Sequence, residues 1–246
     1  MTTITVAVAV TVGLVVGPWL RTSIFANRLP SGDPARRHCP HCSRLVLASG
    51  HLGIVAPVAL TGRCPSCRRR IGAPPAVIEL VSAGLLGLLA LRVHPLLVLA
   101  ALGWVAAAGI VLVAIDASTQ RLPHAVLPPT LIVVLVLLVV AGIVDHRPNQ
   151  LVAALIGGAA AFAGYSMLAL ATSGPGFGDC KLAALIGLVH GWFGWDALLA
   201  GVTLGFLLAA LYLLPRMITG RYSHSERIAL GPFMLVGAFA VLLVAA

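Results

Sequence analysis

Two aspartates stand out from an apolar background by where they fall. Asp116 closes the run Val113-Ala114-Ile115-Asp116, and Asp179 follows two glycines in Gly176-Phe177-Gly178-Asp179. Carboxylates embedded in apolar spans are costly and are usually functional or paired. Two carboxyls that share a site do not both ionise readily, so the pair holds a single proton near neutral pH. The ionised member can draw a proton from water as that water attacks a peptide carbonyl. The protonated member can polarise the carbonyl or help the amine leave. This chemistry needs no cofactor.

Several neighbours bear on that reading. Gly176 and Gly178 let backbone and a substrate strand come close; the plain alternative is a loop glycine pair followed by a helix-capping aspartate. Lys181 reads either as a group that biases the pair's charge or holds a substrate carbonyl, or as a membrane-edge anchor. His124 and Gln120 lie near Asp116 and read as loop residues. Of the other acids, Asp33, Asp145, Asp196 and Glu226 fall in loops or at span ends and read as solvated charge. Glu79 reads as an edge anchor or as part of a polar site.

A second cluster is made of cysteines. Cys39-Pro40-His41-Cys42 and Cys64-Pro65-Ser66-Cys67 are two C-x2-C knuckles separated by 21 residues. Four thiolates in this pattern can converge tetrahedrally on Zn²⁺. His38, Arg44, Arg63 and Arg68 favour thiolate over thiol. A pair of disulfides is the rival and fits a loop in a reducing compartment less well. A loop this short builds little core of its own, so the metal is expected to be structural. Cys180 is isolated and reads as a small buried residue.

The elements that must position these groups follow from composition. The chain has 246 residues, is 60% hydrophobic and only 9% charged, and has a mean hydropathy of +1.05. Soluble domains carry roughly 25% charged residues. Apolar runs long enough to cross a ~30 Å hydrocarbon core recur throughout. They show no strand alternation, and lipid offers the backbone no hydrogen-bond partner, so they must be helices. The expectation is an all-α polytopic membrane protein with eight spans: 4–25, 76–93, 95–116, 126–144, 150–172, 179–193, 196–214 and 229–246. Residues 1–25 form the first transmembrane helix, 26–75 the cytoplasmic zinc-binding loop and 76–246 the main transmembrane body. The sixth span is short and contains His190, which suggests burial in the bundle. Trp192 and Trp195 are expected in an outer loop, as part of an interfacial aromatic belt.

Charge sets the expected orientation. With the N-terminus outside, inner segments and their flanks hold fourteen of the sixteen Lys/Arg, leaving only Arg92 and Arg147 outside. That bias is the positive-inside pattern. No aromatic-interleaved basic patch points to nucleic acid. In this topology the third span runs inward and the sixth outward, so Asp116 and Asp179 share one depth at the inner boundary.

At this point the residues resemble a known family, the type IV prepilin leader peptidases, which are bacterial membrane aspartic peptidases with a G-x-G-D motif. The likeness rests on the paired cysteine knuckles after the first span, on Ile115-Asp116 followed by Leu122-Pro123, and on Gly176-Phe177-Gly178-Asp179-Cys180-Lys181-Leu182. It covers most of the chain. Ser118 and His124 stand where many relatives carry acidic or amide residues, and Pro75 to Glu79 meets the family's Pro-x-x-Glu segment loosely. The resemblance implies Asp116 and Asp179 as catalytic residues and Cys39, Cys42, Cys64 and Cys67 as metal ligands. It implies cleavage of basic leaders from prepilin or pseudopilin precursors at the cytoplasmic face of the bacterial inner membrane. Many members also N-methylate the new terminus with S-adenosylmethionine. Two other classes fit parts of the pattern. A proton- or cation-coupled transporter using Asp116 and Asp179 predicts acids near mid-bilayer and related halves. A membrane-anchored zinc scaffold predicts no dependence on the aspartates.

Overall fold

The computed structural model describes residues 2–30, 33–47, 60–171, 176–219 and 229–245. Among these, eight α-helices form the body: α1 (Thr2–Asn27), α2 (Val77–Arg92), α3 (Leu96–Thr119), α4 (Leu127–Val144), α5 (Pro148–Ala171), α6 (Phe177–Phe193), α7 (Trp195–Ile218) and α8 (Gly231–Ala245). Five of them, α1, α3, α4, α5 and α7, are long and apolar enough to cross a membrane. The eight expected spans coincide with the eight helices, and the cysteine segment falls between α1 and α2. The basic stretch containing Arg221, Glu226 and Arg227 lies outside the described residues.

Apolar side chains cover the bundle's outside, where Ile4, Leu96, Ile132, Met167 and Leu211 are well exposed. That is the surface a lipid solvent requires. The most deeply set helix is α6. From Leu182 to Trp192 every residue except Ala184 is buried. A helix that is apolar all round belongs inside a bundle. Small residues let it sit there: a Cβ added at Gly187 would lie 2.4 Å from the Gly157 carbonyl oxygen of α5. Close backbone approach through small residues is how helices pack where lipid supplies no hydrophobic drive. Trp192 departs from expectation. It is 4% exposed in the last turn of α6, whereas Trp195 is half exposed at the start of α7. The buried run from Leu185 to Gly191 keeps the helix going and carries the indole inward.

Helices α1 and α2 form a tight pair. Ser82 donates to the Gly13 carbonyl oxygen at 2.6 Å. Further along the same seam, Arg21 of α1 meets Glu79 of α2, with Nη2 2.6 Å from Oε1 and also bonded to the Pro74 carbonyl oxygen. The Arg21 side chain is fully buried and Glu79 nearly so. The structure thus resolves Glu79 as an ionic tie between the first two helices. Removing one partner of a buried pair strands the other charge, at a cost of about 3–5 kcal/mol. Glu79→Ala should therefore lower the thermal unfolding midpoint in detergent markedly. The double variant Arg21→Met/Glu79→Leu should recover most of the loss, because an apolar pair strands no charge.

Helices α3 and α6 make no extensive contact with each other. Each packs instead against α4 and against α8.

Candidate active site

Asp116 lies in the last turn of α3 and is 4% exposed. Gln120 ends the helix in the left-handed region (φ 53°), with its N–H bonded to the Asp116 carbonyl oxygen. The chain then turns through Leu122 and Pro123 into α4. Asp116 Oδ2 accepts the N–H of Gly231, the first residue of α8, at 3.0 Å. Asp179 lies in the first turn of α6 and is half-buried. Its Oδ2 accepts the N–H of Gly176 at 2.8 Å. This is a helix-capping bond in which Gly176 is the cap residue and Asp179 reaches back to it.

The two carboxylates therefore have matching settings. Each is bonded through one oxygen to a glycine N–H at a helix start. Leu122 links the two sides. A Cβ at Gly178 would lie 3.0 Å from Leu122 Cβ, and a Cβ at Gly231 would lie 3.5 Å from Leu122 Cδ2. The missing side chain of Gly178 thus makes room for Leu122, the residue just after Asp116's helix. Gly176 is exposed, in ordinary extended backbone (φ −79°, ψ 164°).

Lys181 points along the rim. Its Nζ is 3.3 Å from His124 Nδ1 and 4.7 Å from the centroid of the Phe177 ring. The sequence reading passed over Gly231. The pair Gly231-Pro232 announces a helix start, but only the fold shows that the start faces Asp116. Tyr165 of α5 was also missed. It is buried and stacked on Phe206.

The four cysteines converge as their spacing requires. All four sulfurs lie within 4.8 Å of one another, and all are free thiols. Cys39 Sγ is 3.7 Å from Cys67 Sγ, and Cys42 Sγ is 3.7 Å from Cys64 Sγ. A tetrahedron with metal–sulfur bonds of ~2.3 Å has edges of about 3.8 Å, so the sulfurs are spaced to ligate one metal ion. The knuckles repeat one backbone pattern. Cys39 N–H bonds the Arg44 carbonyl and Cys64 N–H bonds the Arg69 carbonyl, with Ser43 and Arg68 left-handed. The N–H groups of Cys67 and Ser66 favour the Cys64 thiolate, which brings its pKa down to about 6. The Arg69 N–H favours the Cys67 thiolate too, but burial and the neighbouring sulfurs outweigh it and push that thiol up to about 11. Arg36 anchors the module to α1 by donating to the Ala26 carbonyl and to Asn27 Oδ1, and Phe25 packs beneath Cys39 and Cys64.

Comparison with known proteins fits this arrangement. Residues 103–214 match the model of the type IV leader peptidase family, and residues 11–93 match the bacterial peptidase A24 N-terminal domain. A prepilin leader peptidase/N-methyltransferase of Burkholderia pseudomallei is 32% identical over 96% of this chain and 84% of its own length. Proteins of the same name from Pseudomonas putida (27% identical; 97% of this chain, 90% of the relative) and Neisseria gonorrhoeae (30%; 82% and 69%) are also similar. No solved structure matches the chain. None of these relatives is a transporter, and the transporter reading is set aside. With both segments matched in order and near-complete coverage by a relative at 32% identity, the chain belongs to the type IV leader peptidase family.

Proposed function

We propose that this protein cleaves the leader from prepilin-like precursors, with Asp116 and Asp179 as its acid–base pair. The observation that carries the reading is the matching setting of the two carboxylates, each held through Oδ2 by a glycine N–H at a helix start, with Leu122 between the two sides. In the reaction the ionised carboxylate takes a proton from water while the water oxygen bonds to the peptide carbonyl carbon. The protonated carboxyl donates to the carbonyl oxygen, giving a tetrahedral diol; as the C–N bond breaks, the other carboxyl passes its newly gained proton to the departing nitrogen and the first recovers a proton from a diol hydroxyl. The pair finishes with one proton, as it began. Gly176, Gly178 and Lys181 support the site: the first caps Asp179, the second admits Leu122, and the third offers a cation at the rim.

The charge asymmetry favours the N-terminus outside and the cysteine module in the cytoplasm, where a basic leader would remain. We assign Zn²⁺ to the module on the chemistry of four thiolates in tetrahedral spacing, held by Cys39, Cys42, Cys64 and Cys67. When bound it would supply a rigid cross-link between the knuckles. No open ligand position marks it for catalysis. The relatives' names pair the peptidase with an N-methyltransferase. Methyl transfer from S-adenosylmethionine is a second activity of the proposal, and no residue is assigned to it. The precursors are prepilins or pseudopilins, and the apolar exterior packs on membrane lipid.

The test is an assay of the purified full-length protein on prepilin precursors carrying basic leaders, read by mass spectrometry. A single cut at the end of the leader is expected. A further methyl-sized mass gain that depends on added S-adenosylmethionine reports the second activity. A folded protein that leaves every such precursor intact overturns the proposal.

A further inference from the structure

The helices that carry the two aspartates do not lean on each other, so something else must set the relation between them. Helix α8 packs on both α3 and α6. His190, fully buried on α6, ties the two helices together, with Nε2 3.1 Å from the Ala238 carbonyl oxygen of α8. About two turns before Ala238, α8 begins with Gly231, whose N–H is 3.0 Å from Asp116 Oδ2. Pro232 has no N–H, so Gly231 supplies the helix's leading donor. The partial positive charge of a helix start favours an anion there.

The contact also depends on the absence of a side chain. A Cβ at Gly231 would stand 2.7 Å from Asp116 Oδ2 and 3.4 Å from Cγ. Oδ2 is the oxygen that accepts the N–H, so an added methyl group would displace the carboxylate from its donor.

We propose that Gly231 is a positioning residue of the reaction, its N–H and its missing side chain together fixing the placement of the Asp116 carboxylate that the pair uses. This rests on the reading of Asp116 and Asp179 as the acid–base pair. Helix α8 is then the third arm of the site: tied to α6 by His190 and to α3 by Gly231, it joins α4 in bridging two helices that make little contact with each other. Gly231 itself touches no substrate in this account.

Gly231→Ala should lower kcat about 100-fold, the scale on which a 1 Å misplacement acts, with KM held within about twofold. Gly13→Ala is the packing control. It lies in the α1–α2 seam, where an added Cβ would meet the Ala83 Cα at 2.5 Å, on helices that carry neither aspartate. It should lower the unfolding midpoint while the folded fraction keeps its kcat. In protein labelled with ¹⁵N-glycine, the Gly231 amide resonance should move in Asp116→Asn and stay in place in Lys181→Ala.

Wild-type kcat in Gly231→Ala overturns the proposal. So does an activity loss that only tracks the unfolded fraction, or a Gly231 resonance indifferent to Asp116→Asn. If Gly231→Ala does not insert, the resonance decides. An inactive Asp116→Asn beside a fully active Gly231→Ala sinks this inference alone; an active Asp116→Asn sinks the acid–base pair itself.

Discussion

Asp116→Asn and Asp179→Asn should each reduce precursor cleavage by about 1,000-fold or more while leaving the protein inserted and folded. The magnitude follows from the role. A positioned general acid or base contributes roughly 10²–10⁴, and in a shared-proton pair the loss of either carboxyl removes both functions. An asparagine cannot take a proton from water, and its partner then has no second carboxyl with which to share one. Folding should survive for a local reason. Each aspartate's structural duty is to accept one glycine N–H through Oδ2, and the carbonyl oxygen of an asparagine can accept the same bond. Removing a charge from an apolar setting also removes its desolvation cost. Cleavage by the purified variants, with the unfolding midpoint as a control, gives the comparison.

The second large effect concerns the cysteine module. Cys39→Ser combined with Cys42→Ser should abolish metal binding, and the segment between α1 and α2 should lose its fold. The wild type should carry one zinc per chain. The small cluster of Phe25, Cys39, Val46 and Cys64 is too little core to order this segment, whereas structural zinc contributes about 10–16 kcal/mol to small zinc-folded peptides. The sulfurs already lie 3.7 Å apart in two pairs, so little of that energy goes into rearrangement. Metal analysis of the purified protein measures the first effect. Limited proteolysis within the module measures the second, with the wild type resistant and the double variant cut. Stoichiometric zinc retained by the double variant would contradict the assignment, as would disulfides in the purified wild type.

Much of this architecture was readable before any coordinates, and the reason is the solvent. Lipid admits only helices here, so apolar runs translate directly into spans, and the ends of α3 and α6 follow from where Asp116 and Asp179 interrupt them. The two knuckles were equally legible, because C-x2-C spacing leaves a metal ion few other geometries. What one-dimensional pattern did not carry was lateral neighbourhood. Depth along the membrane normal follows from charge, but nothing in α3 or α6 announces that α8 joins them. Glu79 was ambiguous because its partner Arg21 is far away in sequence and looked like one more inner-face cation. Trp192 was misplaced because an aromatic near a span end resembles an interfacial anchor; only the close seat of α6 against α5, through Gly157 and Gly187, shows why that end is buried. Gly178 was read as clearance for substrate, yet the residue that fills its space is Leu122.

The central claim is that Asp116 and Asp179, from two helices that barely touch, act as one unit. The most direct measurement is a double-mutant cycle on cleavage rate, comparing wild type, Asp116→Asn, Asp179→Asn and the double variant, all inserted and folded. Residues that act as a unit are strongly non-additive. The double variant should be no slower than the slower single variant. A double variant slower by the product of the two single effects would show two independent contributions, and would contradict a shared-proton pair.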